Sequence, residues 1–157
     1  MPLKLFGFEI MSNFKFPYFS RDIGEFWSRW HISLSTWFRD YLYIPLGGSR
    51  GRKWLSIRNI FIIFIVSGFW HGANWTFIVW GLCHAILFLP LFLINKNRRY
   101  LSSNIAENSF LPSSFELLQM MITYFSTTIL WVFFRSQSIT DSIDYLSRMV
   151  IDFSFGS

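Results

Sequence analysis

SGFWHGANWTFIVWGLCHAILFLPLFLI, residues 67–94, is the stretch that decides the fold class of this chain. From Trp75 to Ile94 it holds 20 residues without one Asp, Glu, Lys or Arg. At 1.5 Å per residue a helix of that length reaches about 30 Å, the depth of a bilayer's hydrocarbon core. Pro90 places a kink inside it. The same stretch sets His71 in an apolar belt, between Gly68 and Gly72.

Working outward, Ile60–Trp70 is apolar but only 11 residues long, about 16 Å of helix and half a crossing. With Gly68 and Gly72 beside it, the pattern predicts a helix broken near His71. Leu117–Phe134 offers 18 residues for a second span. Upstream, Glu25–Tyr43 has helical periodicity. Trp27, Trp30, Leu34, Trp37, Phe38 and Tyr41 fall on one face, with Ser28, Arg29, Thr36, Arg39 and Asp40 opposite. A tryptophan-faced, arginine-edged helix suits the headgroup boundary, and packing against other helices is compatible with that. Pro45 and Gly47–Gly48 end it. Residues 1–22 read as an irregular or interfacial lead-in, 95–114 as a polar connection, and the tail from Arg135 as a short surface helix. The predicted fold is all-α and integral to the membrane, with two or three transmembrane spans plus interfacial and re-entrant helices.

Composition agrees. The chain of 157 residues is 52% hydrophobic, 22% aromatic and 15% charged, against roughly 25% charged in a soluble domain. A single cysteine, Cys83, excludes an intrachain disulfide and a thiolate metal cluster. The net charge of +5 gathers in two short runs, Arg50, Arg52, Lys53 and Arg58, then Lys96, Arg98 and Arg99. Basic runs beside apolar segments are juxtamembrane anchors and mark the cytoplasmic side. Nucleic-acid binding would need them along one exposed face and is not expected. If both runs are cytoplasmic, the segment between them enters and returns on the same side, with His71 near its apex. The N-terminus lacks the apolar core and cleavage site of a signal peptide.

Three histidines carry the chemistry available: His31, His71 and His84. None forms an HxxH or HxxxH pair, so no metal site is expected. GxSxG and phosphate-binding glycine loops are also missing from the sequence. Burial favours a neutral imidazole at His71, and a neutral imidazole can take a proton from a hydroxyl attacking an acyl carbonyl. Gly68 and Gly72 would admit a substrate chain close to the backbone. Asn74 could orient the ring or donate to a developing oxyanion. A structural histidine bridging helices is the alternative. His31, beside Trp30, has an interfacial location as its plainer explanation. For His84, mid-span, helix–helix hydrogen bonding is the expected job. Arg39 and Asp40 could hold a phosphate, pair with neighbours, or form a solvated polar face.

FWSRWHISLSTWFRDYLYIPLGGSR (26–50) and SGFWHGANWTFIVWGLCHA (67–85) strongly resemble the membrane-bound O-acyltransferase family, in particular its alginate O-acetyltransferase branch. The lead-in LFGFEIMSNFKFPYFSRDI adds to the likeness, which covers roughly residues 3–89. The resemblance implies acyl transfer from a thioester donor to a hydroxyl, through a tunnel crossing the bacterial inner (cytoplasmic) membrane. It makes His71 and His31 the catalytic pair, His71 as general base or as a direct relay of the acyl group, with His31 on the cytoplasmic side where the donor arrives. Asn74, Trp70, Trp30, Arg39 and Asp40 become substrate-binding candidates. The implied donor is acetyl-CoA or another acyl thioester, as substrate and not as a bound cofactor. The acceptor is an exopolysaccharide or cell-wall glycan, reached through extracytoplasmic partner proteins. IPLGG (44–48) looks more like the acetylating branch than the D-alanine-exporting one. Family members carry many more helices ahead of these blocks, so residues 1–157 are expected to be the C-terminal portion of an acyltransferase domain. An inactive remnant or non-catalytic assembly subunit is the second reading, and a transporter fragment, permitted by a broken helix, the third.

Overall fold

The computed structural model describes residues 12–101, 105 and 111–155, with side chains as far as residue 152. The first part of the expected lead-in, residues 1–11, lies outside the described residues, as do 102–104 and 106–110 of the connection. Among the described residues the structure is helical and has no strand. A short 3-10 turn, Pro17–Phe19, leads into α1 (Ile23–Arg29), α2 (Ile32–Phe38), α3 (Lys53–His71), α4 (Trp75–Leu93), α5 (Ser114–Arg135) and α6 (Ile139–Phe155). A π-helical turn, Arg39–Tyr43, extends α2. Helices α3, α4 and α5 are each long and apolar enough to cross a membrane. The expectation of an all-α membrane fold with two or three spans holds.

Two expectations are corrected. The half-crossing near His71 is instead the end of a full-length helix, because α3 starts at Lys53 and has 19 residues, about 28 Å. The basic loop residues supply its first turn, so charge did not mark a boundary. Gly68 stays within the helix and Gly72 terminates it. The second correction concerns Glu25–Tyr43, which is two helices. They meet at His31, whose backbone is left-handed (φ 43°, ψ 57°).

The upstream segment makes that break. The Lys15 amide donates to the Arg29 carbonyl at the end of α1. At the start of α2, the Ile32 amide donates to the Asn13 carbonyl and the Ser33 amide to Asn13 Oδ1. These bonds satisfy groups that two helix ends would otherwise leave unpaired. At its entry, α1 is capped by Asp22, which accepts from the Glu25 amide at 2.7 Å.

Helices α3 and α4 form an antiparallel hairpin joined by 72–74. Its open end is closed by Lys53 Nζ, which donates to the Leu93 carbonyl at 2.8 Å. Both basic runs therefore stand at one end of the hairpin, here called the basic end. In the half nearer the turn, Gly68 lies against the Phe77 carbonyl and Gly81 against the Phe64 carbonyl. Small residues at such crossings let helix backbones approach closely. Helix α5 opens with a capping box, in which Ser113 and Glu116 bond each other's backbone amides. It rises beside α4 and ends near the turn of the hairpin, where Asn74 Nδ2 donates to the Gln137 carbonyl.

Helices α1 and α2 form a second, shorter hairpin. Its feet are also at the basic end. Gly24 nestles against the Asn97 carbonyl, and Arg21 lies over the Tyr100 ring at 4.0 Å and bonds Glu116 at 3.0 Å. At the other foot the IPLGG turn is pinned to α3 by Asn59 Nδ2, which donates to the Leu46 and Gly48 carbonyls. The apex reaches inward, with Trp30 on Trp131 and Trp27 on Phe64 and Trp80. The α1–α2 hairpin thus enters and leaves the helix bundle at the basic end. An ion cluster anchors it. Glu25, 2% exposed, accepts from Arg21 at 3.0 Å and Arg29 at 2.6 Å.

Candidate active site

A cavity of about 250 Å³ lies between the two hairpins. On α3 its wall runs from Ile60 to His71, about 16 Å of helix. Arg39, Tyr43, Asn97 and Arg98 line it toward the basic end. Leu34, Phe38, Ile63, Phe64, Phe88 and Phe92 make an apolar middle, and His31 and His71 complete the wall. The shape offers a polar, cationic mouth, a greasy passage and a pair of imidazoles.

His71 is half-buried in the last turn of α3. Its ring meets Trp70 and Phe134 at 4.9 Å, Trp80 at 5.5 Å and Phe77 at 6.2 Å. Aromatic walls therefore set its orientation. His31 stands at the apex of α1–α2 and lines the same cavity as His71. Its ring contacts Phe14 at 5.9 Å, and its Nδ1 has no hydrogen-bond partner among the described residues. The left-handed backbone of His31 turns the chain so that this side chain and Ser35 face the cavity together. At the mouth, burial pushes the Tyr43 phenol up while Arg98 pulls it the other way. Tyr43 stays protonated as a donor.

Of the residues singled out from sequence, His71, His31, Trp30 and Arg39 come together on the cavity wall. Three stand elsewhere. Asn74 caps α4 through the Thr76 amide at 3.2 Å and ties it to Gln137. Trp70 is 58% exposed and touches the site through the His71 ring. Asp40 binds Arg39 Nε at 2.7 Å on the exposed side of the π turn. Arg39 thus meets both the cavity and Asp40. Helical phase puts Arg39 off the face of Leu34 and Phe38, yet its long side chain reaches the cavity that they line.

Sequence reasoning missed Trp27, Ser35, Tyr43, Ser67, Asn97 and Arg98 as lining residues. Arg98 was legible only as an anchor. Nothing in a linear pattern says that the chain after α4 folds back under α2. Among the described residues no group of three or more His, Cys, Asp or Glu side chains could hold a metal ion. His84, expected to bond between helices, makes no hydrogen bond among the described residues.

Comparison with known proteins identifies relatives. The membrane-bound O-acyltransferase family model matches residues 3–131. The probable alginate O-acetylase AlgI of Pseudomonas syringae pv. tomato is 44% identical over 135 residues, 86% of this chain and 24% of that protein. The probable alginate O-acetylase AlgI of Pseudomonas aeruginosa is 42% identical over 153 residues, covering 98% of this chain and 26% of the relative. The peptidoglycan O-acetyltransferase of Helicobacter pylori is 38% identical over 145 residues, 92% of this chain and 26% of its own length. The chain spans about a quarter of the length of the curated relatives it matches.

Proposed function

The chain belongs to the membrane-bound O-acyltransferase family, and from that premise we propose that it forms the two-histidine portion of an enzyme that moves an acetyl group onto a glycan hydroxyl. The observation that carries this reading is that His31 and His71 open onto one cavity whose mouth is polar and cationic. The donor is an acyl thioester, entering at the basic end on the cytoplasmic side of a bacterial inner membrane. The acceptor is an exported polysaccharide or cell-wall glycan, delivered at the turn end by extracytoplasmic partners. The names of the relatives support acetyl as the group transferred.

His71 is the general base. As the acceptor hydroxyl forms its C–O bond to the acyl carbon, its proton passes to the imidazole. When the C–S bond of the thioester breaks, the thiolate leaves with the electron pair and recovers a proton, so the reaction needs no oxidant or other co-reactant. His31, at the apex on the same cavity, supports the proton path, and Trp30 and Arg39 line the passage. Proton transfer by a positioned base contributes roughly 100- to 10,000-fold.

The test is His71→Ala in the complete membrane protein, read as acetyl groups on the exported glycan. Expected is a loss of that order with the protein still present in the membrane. Undiminished acetylation by a stably inserted variant ends the reading.

A further inference from the structure

The most enclosed histidine does not line the cavity. Thr76, Trp80 and His84 are spaced one turn apart on α4, so they form one inward stripe, about 12 Å long. They are 0%, 1% and 1% exposed. Each carries a polar atom with no hydrogen-bond partner among the described residues: Thr76 Oγ1, Trp80 Nε1, and both ring nitrogens of His84. Trp27, which packs on Trp80 at 5.8 Å and on His84 at 5.0 Å, has an unpartnered Nε1 as well. Buried polar groups are seldom left so, and a cluster of them marks bound water or a role in function.

The chemistry of the set is complementary. An indole N–H only donates, while a neutral imidazole keeps one acceptor nitrogen. Water can accept from the Trp27 and Trp80 indoles and donate to His84. A phenylalanine ring at position 84 would fill the aromatic box of Phe26, Trp27, Phe64 and Trp80 without that requirement.

Trp80 connects the stripe to the site. Its ring stands edge-on to His84 at 4.7 Å and, on another side, edge-on to His71 at 5.5 Å and 89°. The ring contacts of His71 among the described residues are with Trp70, Phe77, Trp80 and Phe134, so a tilt of Trp80 tilts His71. We propose that His84 is a positioning residue for acyl transfer: with bound water it anchors the Trp80 indole, and Trp80 holds the His71 imidazole in line with the cavity. This rests on the reading of His71 as the base.

Three substitutions in the complete membrane protein test it. His84→Phe keeps the aromatic volume and removes both nitrogens. Trp80→Phe removes the indole N–H. His84→Gln keeps hydrogen-bonding capacity. The expected result is a kcat lowered roughly 10- to 100-fold in His84→Phe with KM for both substrates unchanged. His84→Gln recovers most of the rate. The double variant that combines Trp80→Phe with His84→Phe is no slower than the slower single one. A wild-type kcat for His84→Phe, or effects at the two positions that multiply, overturns the proposal. If His84→Phe does not reach the membrane, the cycle is run with His84→Leu, which also lacks both nitrogens, and Trp80→Phe, and multiplying effects again overturn it. Activity surviving His71→Ala would remove the parent reading; a fast His84→Phe beside a dead His71→Ala removes only the role of His84.

Discussion

His31 and His71 face one cavity from the turns of two helical hairpins that point the same way. Each hairpin stands with its feet at the basic end, held there by Lys53 on the Leu93 carbonyl and by Asn59 on the IPLGG turn. The shared cavity follows from that parallel placement. Neither hairpin alone encloses it.

The first prediction concerns sidedness. With Cys83 replaced by serine, single cysteines at positions 52 and 98 should react with an impermeant thiol reagent from the same membrane face. A cysteine at Ala73, in the turn of the α3–α4 hairpin, should react from the opposite face. Opposite labelling of 52 and 98 would contradict a hairpin closed by Lys53 and Leu93.

Close packing gives the second. A Cβ at Gly68 would run into the Phe77 carbonyl and one at Gly81 into the Phe64 carbonyl. Backbone cannot rotate away, so the helices must separate. Gly68→Ala and Gly81→Ala should each cost about 1–3 kcal/mol, read as a lower unfolding midpoint in detergent. A midpoint equal to the wild type in either variant would show that the crossing is looser than described.

The third tests the buried ion cluster. Glu25 takes two arginines in a site from which water is excluded. Removing one member of a buried pair leaves charge uncompensated, at roughly 3–5 kcal/mol. Glu25→Ala should therefore deplete the folded protein from the membrane, while Asp40→Ala, at the exposed pair, should leave its level unchanged. Equal levels for the two variants would count against the cluster as an anchor.

Backbone geometry at the apex makes a fourth. His31 has φ 43°, a conformation that costs a non-glycine residue about 1–2 kcal/mol. His31→Gly should unfold at a higher midpoint than His31→Ala, though both lose the imidazole and should be slow in acetyl transfer. The reverse order of midpoints would mean that the left-handed turn is not kept in the variants.

The fifth is a pH dependence. Burial pushes the Asp22 carboxyl up, against the hydrogen bond from the Glu25 amide that favours its charge. Ionised Asp22 is thus penalised more in the folded than in the unfolded chain. The penalty is fully present above the folded value and is relieved as the pH falls through it toward the unfolded one, about 3.9. Asp22→Asn keeps a capping oxygen and cannot ionise. Its stability relative to the wild type should be highest near neutral pH and should decline in acid, as measured by unfolding midpoints across that range. A difference that grows in acid would reverse the sign.

Much was legible before any coordinate. The unbroken apolar run from Trp75 and the 18 residues from Leu117 announced two of the three crossing helices, because hydrocarbon demands length and apolarity and both can be counted. The blocks around His31 and His71 announced the family. The start of α3 was not legible, since its first turn is built from Lys53 and its basic neighbours, which look like loop. The break at His31 was not legible either. Its cause is Asn13 and Lys15, residues that reach the helix ends only in three dimensions.

The sequence by itself determined the solvent this chain lives in, the helical class and the identity of the histidines, because these depend on composition and local period. Tertiary structure alone decided which side chains share a cavity. Arg39 and Leu34 line one cavity although they lie off one helical face, Arg98 arrives from beyond the end of α4, and Trp80 links His71 to His84. Each of those neighbours is set by backbone direction and close packing between helices, which a linear pattern does not encode.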